Sequence, residues 1–157
     1  MQGGYGMPKI FGQLICLFVL VLTVTPCVAH ERSGSNVIIF VSFSMPKESI
    51  KGWMNEAEKI HAPVVIRGLV NNSFKETIKR VNELVGDNKG GLQLDPVLFK
   101  EFKVNQVPAV VVRNQYDHDI VYGDVHLDYA LQTIIKKNDG LSPLAKNALD
   151  KLRGRTA

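Results

Sequence analysis

The sequence predicts an α/β fold: a mixed sheet flanked by helices, with an amphipathic helix at the C-terminal end. Three observations predict it. The all-apolar run Val37–Val41 passes through Ser42-Phe43-Ser44-Met45-Pro46 straight into a helical pattern, with Ile50, Trp53, Met54, Ala57 and Ile60 recurring on one face. Further apolar runs of strand length, at 64–70 and 107–112, alternate with helical segments. Finally, Ile120-Val121-Tyr122 follows the 107–112 run across a short polar turn, as the partner of an antiparallel pair does. A buried strand that feeds a helix directly sets the helix's free N–H groups at the carboxyl edge of the sheet, a common place for chemistry. Here that edge carries serine, methionine and proline.

The chain before Val37 has a different character. Lys9 is the one charge before Glu31, and Ile10–Leu22 is apolar apart from Gly12 and Gln13. Pro26 follows, and Cys27-Val28-Ala29 places small residues at the −3 and −1 positions of a cleavage site. This is the order of a secretory signal peptide, predicted over residues 1–29, with the mature chain starting at His30. Its apolar core of about 13 residues falls short of the roughly 20 that a membrane span needs. An uncleaved anchor is the competing reading; lipidation at Cys27 is disfavoured because Pro26 stands where a small residue is needed.

Both cysteines, Cys16 and Cys27, precede the predicted cut. Removing 29 residues from 157 leaves 128, exported to a compartment where disulfides form yet without a cysteine to form one. Stability must then come from a packed core, which about 130 residues can supply. Loss of Lys9 lowers the formal net charge from +4 to +3. That is too mild to argue for nucleic acid, and no membrane segment is expected after cleavage.

The remaining elements follow in order. Residues 30–36 are a polar lead-in with Ser33-Gly34-Ser35. The first helix has Ser44 or Met45 as its boundary and Pro46 in its first turn, where the missing N–H does no harm. It ends near His61-Ala62, because Pro63 disfavours helical geometry in the residue before it. The second strand runs from Val64 through Val70, and Asn71-Asn72 is a loop. Ser73-Phe74-Lys75-Glu76 is a capping-box pattern opening a second helix, with Phe74, Ile78, Val81 and Val85 along one face and the Gly86–Gly91 stretch as its stop.

Leu92-Gln93-Leu94 is short and ambiguous. Asp95-Pro96 caps one or two helical turns carrying Phe99 and Phe102. The third strand follows at 107–112, with Pro108 near its start, where a lost N–H is tolerated, and the fourth at 120–122. Gly123-Asp124 leads into a third long helix with Leu127, Leu131, Ile134 and Ile135 inward, ended by Gly140. The domain thus covers 37–140. Residues 141–157 form the last amphipathic helix, with Leu144, Ala148, Leu149 and Leu152 on one side, expected to dock on the domain or on a partner.

This order of elements, with a Val-Pro opening the third strand, resembles the thioredoxin fold and in particular secreted disulfide isomerases. In those a Cys-x-x-Cys motif opens the first helix and a cis-proline begins the third strand. Aligned on the turn, the cysteine positions fall on Met45 and Glu48 and the proline on Pro108, so the resemblance implies a cis Val107–Pro108 bond. A thiolate is the nucleophile of disulfide exchange, and a mature chain without thiols cannot perform it. Phe-Val-Ser-Phe-Ser-Met-Pro at 40–46, with Arg67-Gly68-Leu69, the helix from Phe74, Leu94-Asp95-Pro96 and Val107-Pro108-Ala109, is similar to the TrbC-type pilin assembly proteins of F-type conjugative transfer systems. That resemblance implies a periplasmic component of a type IV secretion machine needed for pilus assembly, working with a TraW-type partner.

The expected function is a non-catalytic adaptor whose partner-binding surface comprises Ser44, Met45, Pro46, Val107 and Pro108, a groove that is apolar and suited to holding a protein segment. The competing reading makes Met45 a core residue and Pro46 a mere helix start. No catalytic residue is assigned: Ser42 and Ser44 lack a base at a recognisable spacing, and Glu48 is a dipole-favoured charge at a helix start. No cofactor or metal is expected, because the loop carrying Asp117, His118, Asp119, Asp124, His126 and Asp128 matches no metal-site spacing. Trp53 is expected in the core. Two other functions stay open: a chaperone-like binder of extended segments using the edge beside Pro108, and a secreted disulfide-isomerase relative with another activity.

Overall fold

The computed structural model describes residues 1–3, 35–85, 91–137 and 139–155. Residues 4–34 and 86–90 lie outside the described residues, and with them nearly all of the expected signal peptide, its expected cut, most of the lead-in and the glycine-rich stop. Strand β1 (Val37–Val41) is followed by α1 (Lys47–Ile60), β2 (Val64–Ile66), a 3₁₀ turn (Val70–Asn72), α2 (Phe74–Val85), β3 (Leu92–Leu94) and α3 (Pro96–Glu101). Then come β4 (Ala109–Arg113), β5 (His118–Tyr122), α4 (Leu127–Lys137) and α5 (Ser142–Leu152).

The strands lie in the order β3-β2-β1-β4-β5. β1 runs parallel to β2, with Ile39 opposite Val64, and antiparallel to β4, with Ile39 opposite Val110. β2 and β3 are parallel, and β4 and β5 antiparallel. This is the expected thioredoxin-like mixed sheet.

Period-two alternation divides the strands between two cores. Val37, Ile39, Val41, Val64, Ile66, Val110 and Val112 face one side, under α1, α4, α5 and Leu84 of α2. Ile38, Phe40, Val65, Ala109 and Val111 face the other, under Leu98, Phe99, Phe102 and Val104. Phe40 meets Phe99 edge-to-face at 4.8 Å between ring centroids, a favoured aromatic geometry. Because both faces of β1 are covered, all five of its residues are buried and its sequence is apolar without interruption.

Helix α1 buries the predicted face, Ile50, Trp53, Met54, Ala57 and Ile60. It closes on His61 in the left-handed conformation (φ 56°), with the Ala62 N–H donating to the Ala57 carbonyl, just before Pro63. The expected first-turn place of Pro46 is corrected: Pro46 is the N-cap, extended at ψ 139°, and its carbonyl accepts the Ile50 N–H.

The second strand is shorter than expected. It stops at Ile66, opposite Val41 where β1 ends, so Arg67-Gly68-Leu69 has no ladder to continue and Val70 begins the 3₁₀ turn. The ambiguous Leu92–Leu94 stretch is an edge strand, which makes the strand after Pro108 the fourth; it starts one residue beyond the proline.

The Ser73 box is half formed. Ser73 Oγ accepts the Glu76 N–H at 3.3 Å, while the Glu76 carboxylate accepts instead from the Asn71 side-chain amide at 2.8 Å. On α2 the buried residues are Thr77 and Leu84, so the stripe through Phe74 and Ile78 faces outward. Asp95 caps α3 as expected, accepting from Val97 N at 2.9 Å and Leu98 N at 3.1 Å. α4 buries Leu127, Ala130, Leu131 and Ile134, and Ile135, half-buried, packs against the same core. The apolar side of α5 packs into the same core, and Arg153 clamps its end to Asp128 of α4 at 2.6 Å. Among the described residues, no helix is long and apolar enough to cross a membrane.

Candidate functional site

The edge of the sheet at the carboxyl end of β1 is built from three segments. The first is the turn 42–46, closed by the Met45 N–H on the Ser42 carbonyl at 3.0 Å, with Ser44 Oγ donating to Ser42 Oγ at 3.0 Å. Ser44 and Pro46 are exposed. Met45 is half-buried and packs against the main core.

The second segment enters β4. The Val107–Pro108 peptide bond is cis, as the fold resemblance implies. Pro108 is buried, and Val107 is half-buried against the second core. A cavity of about 120 Å³ opens here, lined by Ser42, Arg67, Phe99, Asn105 and Val107 among others. The structure thus brings the start of the turn and Val107 to one cavity. Ser44, Met45 and Pro46 are not among its lining.

The third segment, the β5–α4 loop, was not legible as part of a site. The Gly123 N–H donates to the Pro108 carbonyl at 3.0 Å. Gly123 has φ +116°, a conformation that L side chains rarely adopt, and it turns the chain so that Asp124 meets α1. The Asp124 carboxylate accepts from Ser49 Oγ at 2.9 and 3.0 Å and from Trp53 Nε1 at 3.0 Å. One turn further along α1, Glu56 accepts the Leu127 N–H at 2.7 Å, a carboxylate supplied from another helix to the start of α4. Its other oxygen lies 3.1 Å from His126 Nδ1. A second cavity, of about 300 Å³, lies among Ser49, Trp53, Glu56, Asp124 and His126. Trp53 is therefore a core residue, 3% exposed, with a polar task.

The acidic loop singled out for its histidines disperses. Asp119 pairs with Lys137 at 2.6 Å, Asp128 with Arg153, and the His118 ring lies on Phe102 at 5.0 Å. Among the described residues, no group of three or more histidine, cysteine, aspartate or glutamate side chains is placed to hold a metal ion. Among the described residues this edge offers an exposed turn and a small cavity with one guanidinium.

A family model described as the type-F conjugative transfer system pilin assembly protein matches residues 39–134, a span that includes both the Ser42–Pro46 turn and the cis bond. Periplasmic protein TrbC of Escherichia coli (strain K12) is 37% identical over 109 residues, covering 69% of this chain and 50% of that protein. The chain thus spans about half the length of this curated relative. No solved structure matches it significantly.

Proposed function

Because this chain belongs to the family of type-F conjugative transfer system pilin assembly proteins, we propose that it is a non-catalytic periplasmic adaptor in the assembly of the conjugative pilus, within an F-type type IV secretion system. Residues 1–29 direct export and are removed, so that the working protein starts at His30. The observation that carries the reading is a redox-fold edge without redox chemistry. A cis-proline and a strand-to-helix turn stand as in a disulfide isomerase, but the turn holds Ser44, Met45 and Pro46, and the chain's two cysteines are at positions 16 and 27.

Such an edge holds a protein segment without reacting with it. Among the described residues the Val107 peptide groups make no hydrogen bond, so an extended segment can pair with them. The partners are other conjugation proteins, foremost one of the TraW type, and the docking residues are Ser44, Met45, Pro46 and Val107, with the buried Pro108 next to Val107.

The test is co-expression with the TraW-type protein of the same transfer system. Ser44→Arg places a long cation on an exposed position and should leave the melting temperature within about 2 °C, since surface changes stay within about 0.5 kcal/mol. It should remove stoichiometric co-purification. Met45→Asp should remove it too, with a lowered melting temperature, because Met45 packs partly on the core. Full co-purification with Ser44→Arg would move the interface off this edge. The apolar side of α5 is already covered by the domain's own core.

A further inference from the structure

We infer that Arg67 makes the groove beside Val107 selective for a carboxylate, so that the docked partner segment presents an aspartate or glutamate side chain to it. This rests on the reading that the edge docks a partner and says what that partner must carry. Arg67 follows the last residue of β2 and lines the 120 Å³ cavity with Ser42, Asn105 and Val107. Its guanidinium lies 4.9 Å over the Phe99 ring, and Nη2 donates to the Val104 carbonyl. Phe99 and Val104 are 4% and 2% exposed, so both supports are fixed parts of the second core.

Arg67 is exposed, and among the described residues the fork spends one donor of its five, on the Val104 carbonyl. Arg80, Arg113 and Arg153 each have a carboxylate within 4.0 Å. Among the described residues Arg67 has none within that distance. A planar cation held against an aromatic ring, lacking an internal counter-charge and facing a cavity, is suited to bidentate capture of a carboxylate. A volume of about 120 Å³ takes one acidic side chain rather than a folded surface. The partner's backbone then lies along Val107, whose peptide groups are available for pairing.

The experiment titrates the ¹⁵N-labelled protein with pools of five-residue peptides blocked at both ends, with glutamate or glutamine at the centre. Both pools should shift the amides of Ser42, Asn105 and Val107, and the glutamate pool should also shift Arg67 Nε and bind about ten-fold tighter. Added salt should narrow the gap. Arg67→Gln should bring both pools to the glutamine value, and Arg67→Lys should restore part of the difference, since it keeps the charge without the fork. Equal binding of the two pools to the unaltered protein would overturn the assignment; that comparison stands even if Arg67→Gln folds poorly. A gap that survives in Arg67→Gln would overturn it too. If no pool perturbs the groove, the docking reading itself fails. If peptides bind there without charge preference, only the role of Arg67 fails.

Discussion

Asp124→Ala tests how the β5–α4 loop is held to α1. The carboxylate takes three contacts from two donors, at 2.9 and 3.0 Å from Ser49 Oγ and 3.0 Å from Trp53 Nε1. Truncation leaves the donors with different fates. Ser49 is half-exposed, and water replaces its acceptor at little cost. Trp53 is 3% exposed, and an indole N–H stranded without an acceptor costs about 1–3 kcal/mol.

The adjacent cavity admits some water, which places the expected loss in the lower part of that range, about 1–2 kcal/mol. For a domain of this size that is a drop of roughly 4–10 °C in melting temperature. Thermal melts followed by circular dichroism measure it. Trp53 is the chain's one tryptophan, so native-state fluorescence reports this site alone. The cycle with Trp53→Phe sharpens the test: the pair should couple by about 1 kcal/mol. Additivity within about 0.3 kcal/mol, or a melt shift below about 2 °C with unchanged emission, would refute the claim that this bond fixes the loop to α1.

Two glycines should respond with opposite signs. Gly123→Ala forces an L residue to φ +116° and should destabilise by about 1–3 kcal/mol, although its Cβ would meet only Val125 Cγ1 at 4.0 Å. Gly52→Ala, inside α1 with nothing within 4 Å of its Cβ, should stabilise by about 0.5–1 kcal/mol; denaturant midpoints at unchanged slope would measure both. N-terminal sequencing of protein recovered from the periplasm should begin at His30; a start at Met1 or Met7 would sink the cleavage reading and return the two cysteines to the working chain.

What was legible in the sequence was local and periodic. The apolar run of β1 and the stripe Ile50, Trp53, Met54, Ala57 and Ile60 state their own burial, because a strand covered on both faces and a helix packed on one each leave a pattern. Leu92-Gln93-Leu94 left none: it is a three-residue edge strand with Leu92 half-buried and the other two exposed. Apolar Leu69 and Val70 extend the pattern of β2 in the sequence, whereas the limit is set by β1, whose ladder ends where Val41 faces Ile66. The stripe on α2 has helical period but points outward at Phe74, 67% exposed, which shows that period gives a face and not what covers it. The ties of Asp124 to Ser49 and Trp53 join residues 75 and 71 apart, and Glu56 reaches Leu127 across 71. No window along the chain contains both ends of any of these bonds.

Those long ties converge on the edge proposed to bind. The carbonyl of the cis-proline holds Gly123, the next residue holds the first two turns of α1, and Glu56 of the same helix holds the start of α4. Here neutral donors on two carboxylates fix the meeting of turn, strand and helix. Rigidity placed at that edge has a consequence for binding. A partner segment meeting a turn, a cis-proline and a guanidinium already in position loses only its own freedom on docking. Loosening the loop at Asp124 should therefore weaken the proposed complex with a partner segment even though Asp124 belongs to the neighbouring cavity and not to the groove. Its effect would be felt through the position of α1 rather than through a lost contact.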